Sequence, residues 1–124
     1  MDRKIQKTLF DILRCIEEIE SYFDSAPRRF DYYRENSLLR SAIHMNISII
    51  GEATNRILKI NPEILISNAK QIVGTRNYLI HGYDSLRLEM IWAIVVNDLP
   101  KLKQEVVALL YRDGNGTNTT NQKR

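Results

Sequence analysis

Cysteine occurs once in the 124 residues, at position 15. One thiol forms no internal disulfide, and without a second cysteine there is no thiolate cluster for a metal. Cys15 lies in a charged, helix-forming stretch and reads as a small, partly packed residue. Glycine and proline are scarce, at five and three, which argues against a loop-rich β architecture with its many tight turns. No apolar run approaches the roughly 18 to 20 residues that cross a bilayer, and the first residues lack the apolar segment of a secretory leader. A cytoplasmic protein without a membrane partner is therefore expected. Neither sign of charge dominates: 18 Lys and Arg against 15 Asp and Glu leave +3, which permits contact with nucleic acid without demanding it. What remains is the composition of one folded domain, 44% hydrophobic and 27% charged, enough for a single core.

Apolar periodicity assigns that core to helices. Ile5, Leu9, Ile12, Ile16, Ile19 and Phe23 recur at alternating spacings of four and three, one face of an amphipathic helix that ends at Ser25-Ala26-Pro27. Arg28 to Glu35 is basic, aromatic and poorly periodic, and reads as a connection. A second helix is expected from Asn36 or Ser37 to Ile60, with Leu39, Ala42, Ile43, Asn46, Ile49, Ile50, Ala53 and Ile57 inward. Gly51 interrupts it, which costs about 1 kcal/mol against alanine and implies close approach of another backbone. Asn61-Pro62 stops it. After a short, helix-compatible Glu63 to Ser67, a third helix is expected over Asn68 to Ile80, capped by Ser67 or Asn68 and closed by His81-Gly82, with Gly82 terminating it. A loop, Tyr83 to Arg87, leads to a fourth helix from Leu88 to Tyr111, with Leu88, Ile91, Trp92, Val95, Leu99, Leu102, Val106 and Leu109 inward. Pro100 should kink or split that helix, with Asn97 or Asp98 capping the second part. The fold class is all-α, an up-and-down four-helix bundle. Residues 1–112 form the domain and 113–124 a disordered polar tail.

The chemistry concentrates in Arg76-Asn77-Tyr78-Leu79-Ile80-His81-Gly82-Tyr83. Arginine clamps phosphate with a planar fork of donors, and histidine moves protons near neutral pH. The two suffice for cutting a phosphodiester without metal. On an ideal helix Asn77 and His81, four apart, share a face, while Arg76 sits about 140° from His81. They meet only if the break at Gly82 frees His81 or if a second protomer presents its own motif opposite, collecting two arginines and two histidines on a two-fold axis. The same spacing also suits a helix end whose histidine caps carbonyls. His44 reads as a packed or semi-exposed residue, not a second catalytic imidazole. Glu52 reads either as a buried acid paired with a core arginine or as a functional group. There is no metal-ligand spacing and no glycine-rich phosphate loop.

Arg76-x4-His81-Gly82-Tyr83 resembles the Arg-x4-His-x-Tyr signature of HepT-like toxins, a branch of the HEPN superfamily of helical RNA-processing domains. Ile50-Gly51-Glu52-Ala53 resembles the family's second-helix element. Ile91-Trp92 with Asn97-Asp98-Leu99-Pro100-Lys101-Leu102 resembles its fourth-helix pattern. Ala69 departs from the tryptophan that the family often has seven residues before the motif arginine. The resemblance covers nearly everything from Lys4 to Leu110. It implies a homodimer of HEPN type whose paired motifs form a metal-independent endoribonuclease acting on RNA and not DNA, with Arg76, Asn77 and His81 as catalytic residues and no cofactor of its own. It implies a type VII-like toxin–antitoxin system in which a minimal nucleotidyltransferase antitoxin uses ATP to AMPylate Tyr83. The competing reading is a non-catalytic helical partner or substrate of such a nucleotidyltransferase.

Overall fold

Asp2 opens the first helix in the computed structural model, which describes residues 1–80 and 85–114. Its carboxylate accepts from the backbone N–H of Lys4 at 2.6 Å and of Ile5 at 3.2 Å, occupying two of the donors that a helix start leaves open. Helix α1 runs Arg3–Tyr22 and buries Ile5, Leu9, Ile12, Ile16 and Ile19, as the four-three spacing predicts. Cys15 is buried with them, and burial raises its thiol pKa. Among the described residues every regular element is helical.

The segment expected to be a plain connection contains a short helix, α2 (Phe30–Glu35). Periodicity could not reveal it, because six residues need only one anchor. That anchor is Tyr33, which is 0% exposed. Its ring stacks on Trp92 with centroids 5.1 Å apart.

Helix α3 spans Ser37–Ile60, with the Asn36 side chain accepting from Leu39 N–H at 2.9 Å. Its buried arc includes Leu39, Ile43, Asn46, Ile50, Ala53 and Ile57 as expected, but Ile47 is buried and Ile49 is exposed. The arc widens because α3 packs against α1 on one side and α4 on the other. Gly51 faces α4: a Cβ there would lie 3.3 Å from the Ile72 backbone oxygen. Alanine tests that limit, whereas the branched side chain of Gly51→Val must push the helices apart. The expected loss is about 1–3 kcal/mol, read from urea melts.

Residues 63–67 form turns and not a helix; Glu63 N–H donates to the Asn61 side chain at 3.0 Å. Helix α4 is Ala69–Ile80. Helix α5, Ser85–Ala93, begins three residues before the expected Leu88. It leads into a π-helical turn, Ile94–Asp98, and then α6, Leu99–Gly114. Of the kink or split expected at Pro100, the split is absent and a π-helical turn stands just before the proline. Leu99 N–H reaches back to the Ile94 carbonyl, and the widened turn admits the proline ring without ending the helix. Asp98 is consequently no cap. Helix α6 also passes the expected boundary at residue 112, and residues 115–124 of the expected tail lie outside the described residues. Helix α1 packs on α3 and α6, α4 on α3 and α5, and α2 bridges α3 and α5. No described helix is long and apolar enough to cross a membrane.

Candidate functional site

The motif begins on α4, so what fixes α4 fixes the site. Along its flank the Gly51 notch sets the distance to α3. Groove residues give the direction. Leu58 lines a depression with Asn68 to Gln71, whereas Ile47 and Gly51 line another with Val73. Helices α3 and α4 are therefore antiparallel, and the last turns of α4 lie toward the first half of α3. At the start of α4, Asp98 accepts from Asn68 Nδ2 at 2.8 Å and Gln71 Nε2 at 3.3 Å. The π turn is thus tied to the helix that carries the motif. Asp98 is mostly buried, and burial raises its carboxyl pKa, with the Asn68 hydrogen bond acting in the other direction. Thr75, 1% exposed, donates its hydroxyl to the Gln71 carbonyl at 3.1 Å, and Leu79 packs against the core.

Arg76 and Asn77 fall within α4, five and six residues beyond Gln71. Their side chains lie outside the described residues, as do His81, Gly82, expected to terminate the helix, and the modification candidate Tyr83.

Where α2, α3 and α5 meet lies a polar-aromatic cluster that sequence reading missed. Tyr33 of α2 and His44 of α3 are hydrogen-bonded from phenol oxygen to Nε2 at 2.6 Å. Trp92 of α5 stacks on Tyr33, and Phe23 meets Trp92 edge-on at 5.7 Å. His44 is buried, as the packed reading of it holds. Burial first, then the Arg40 charge, pull its pKa down to about 4, so it is neutral at physiological pH. Arg40 itself donates to the Arg34 carbonyl. No periodic signal could have paired residues 33, 44 and 92, since they belong to three helices.

Glu52 is exposed, which corrects its reading as a buried acid: Gly51 takes the tight contact and turns its neighbour outward. Among the described residues no group of three or more His, Cys, Asp or Glu could hold a metal ion.

Comparison with known proteins adds the identity of the domain. Residues 12–109 match the family model described as "Ribonuclease HepT-like". A Methanocaldococcus jannaschii protein named "Putative RNase" is 33% identical over 107 residues, covering 84% of this chain and 94% of that protein. A Thermococcus cleftensis protein named "Probable ribonuclease HepT" is 29% identical over 107 residues, covering 83% and 93%. No solved structure matches the chain. An all-helical domain matched over most of its length, with the Arg76-to-Tyr83 stretch inside the match, belongs to the HepT-like ribonuclease family.

Proposed function

We propose that this chain is the toxin of a type VII-like toxin–antitoxin pair, a metal-independent endoribonuclease whose site is completed by a second copy of the chain. The family match over residues 12–109, spanning the whole motif, carries this reading. The domain is taken as an up-and-down four-helix bundle of HEPN type, its fourth member being the continuous α5–π–α6 helix, and it acts in the cytoplasm.

Two features favour the homodimer. Leu38, Met45 and Ile49 lie on one stripe of α3 and are 81%, 67% and 42% exposed, an apolar face that a monomer leaves in water. On α4, a Cβ at Gly74 would meet nothing within 4 Å, so packing among the described residues does not require that helix-weakening glycine. A second backbone approaching α4 would.

In the paired site one His81 removes the proton of a ribose 2′-hydroxyl as that oxygen attacks the adjacent phosphorus. Arg76 stabilises the charge gathering on the non-bridging oxygens. The partner's His81 donates a proton to the departing 5′-oxygen, leaving a 2′,3′-cyclic phosphate and a 5′-hydroxyl. Asn77 orients the imidazole or binds phosphate. The need for a 2′-hydroxyl selects RNA over DNA.

Expression without a partner should arrest growth, and the purified chain should cut RNA in the presence of EDTA. Harmless expression together with intact RNA would leave the non-catalytic partner reading. AMP carried on Tyr83 would place negative phosphate two residues from His81 and repel substrate. Co-expression with a minimal nucleotidyltransferase should therefore add AMP masses to the intact chain and abolish cleavage. A mass gain that persists in Tyr83→Phe would remove Tyr83 from this role.

A further inference from the structure

We propose that α2 and the turn before it form a second RNA contact, a surface that holds the single strand flanking the cut; this rests on the ribonuclease reading above. The first observation is place. Because α3 and α4 are antiparallel, with Gly51 against Ile72, the eight residues from Ile72 to Ile80 carry α4 about 12 Å toward the start of α3. Helix α2 immediately precedes that start and packs on α3 and α5. Its Tyr33 meets His44, seven residues before Gly51, so α2 stands at the level of α3 that the last turn of α4 reaches.

The second observation is chemistry. The surface offers Arg28, Arg29 and Arg34 and no lysine. Arg28 lies over the Phe23 ring at 5.2 Å and Arg34 over the Phe30 ring at 5.5 Å. Each pair is a flat guanidinium on a flat ring, the combination on which unpaired bases stack while the same guanidinium reaches phosphate. Arg29 pairs with Asp31 at 3.1 Å and Arg34 with Glu35 at 2.9 Å. Both bridges are between neighbours on an open surface and are cheap to exchange for phosphate.

The third observation is rigidity. A six-residue helix is too short to hold itself in water. This one is held by Tyr33, buried between Trp92 and His44, so the arginines are presented on a fixed base. Of the acids in α2 and the turn before it, Asp31 and Glu35 are engaged by arginine, and Asp24 is the third.

The test measures binding of a fluorescein-labelled 20-nucleotide single-stranded RNA to full-length His81→Ala protein, with and without Arg28→Ala/Arg29→Ala, across a salt series. The double change should weaken binding at least tenfold. It should also lower the slope of log affinity against log salt by about 1.4, two phosphates at about 0.7 each. In the His81-intact background it should slow cleavage of the 20-mer and leave cleavage of a dinucleotide, too short to reach α2, unchanged. Equal affinity and equal salt slope, with RNA still cut by the unsubstituted protein, overturn this contact alone. Equal slowing of long and short substrates overturns it as well. If the unsubstituted protein neither binds nor cuts RNA, the ribonuclease reading falls and this contact with it.

Discussion

Arg76→Ala and His81→Ala should each lower the rate of RNA cleavage by about 10²–10³-fold. Arginine placed at developing phosphorane charge acts like one preorganised donor of an oxyanion hole, whose removal costs that much. A positioned imidazole contributes in the same range. Because the groups act in one transition state, the double variant should be little worse than the poorer single one. The composite site makes a sharper demand. When unsubstituted chains are mixed with an excess of His81→Ala chains and allowed to exchange, most unsubstituted chains end in dimers that hold a single histidine. Because the pair uses one histidine as proton acceptor and the other as donor, cleavage per unsubstituted chain should fall toward the level of the His81→Ala variant. A rate per unsubstituted chain that does not change would mean that each protomer cuts alone. Melting curves of the single variants, compared with the parent, separate lost chemistry from lost folding.

The second large effect concerns the cluster beneath α2. Tyr33 is 0% exposed and joins its own helix to α3 and α5, so Tyr33→Ala should cost about 3–5 kcal/mol, the range for deleting a buried ring. Tyr33→Phe keeps the ring and removes the hydroxyl from His44 Nε2, an expected loss of about 1–2 kcal/mol. The same histidine makes stability depend on pH. Its pKa is about 4 when folded, against a reference of 6.5. Between those values the unfolded chain binds the proton and the folded chain does not, so stability rises with pH across this window. The contribution is fully present above pH 6.5, is lost as pH falls toward 4, and amounts to about 3 kcal/mol at most. His44→Gln should flatten that part of the stability–pH curve. A curve with the same slope in the variant would assign acid sensitivity to other groups.

Much of this protein was decided locally. The four-three spacing from Ile5 to Ile19 determined α1, and the Asn36 and Asn61-Pro62 signals bounded α3 to the residue, because amphipathic period and capping act within one or two helical turns. The Gly51 notch was legible too: a glycine that weakens a helix implies a close backbone, and Ile72 supplies it. The motif residues were likewise readable as residues, since arginine and histidine carry their chemistry wherever they stand.

Tertiary structure decided what depends on contacts between distant positions. A kink or split at Pro100 was the local inference for a regular helix. Folding kept the helix unsplit and placed a π turn before the proline, in which Asp98 was drawn from capping to accept from Asn68 and Gln71, some thirty residues away. Helix α2 exists because Tyr33 finds Trp92 and His44, not because six residues favour a helix. Sequence by itself thus determined α1 and α3 and named the residues proposed to react. The fold decided how α4 is held and where α2 sits on α3 and α5, because those are set by burial and hydrogen bonds that the chain makes only once closed on itself.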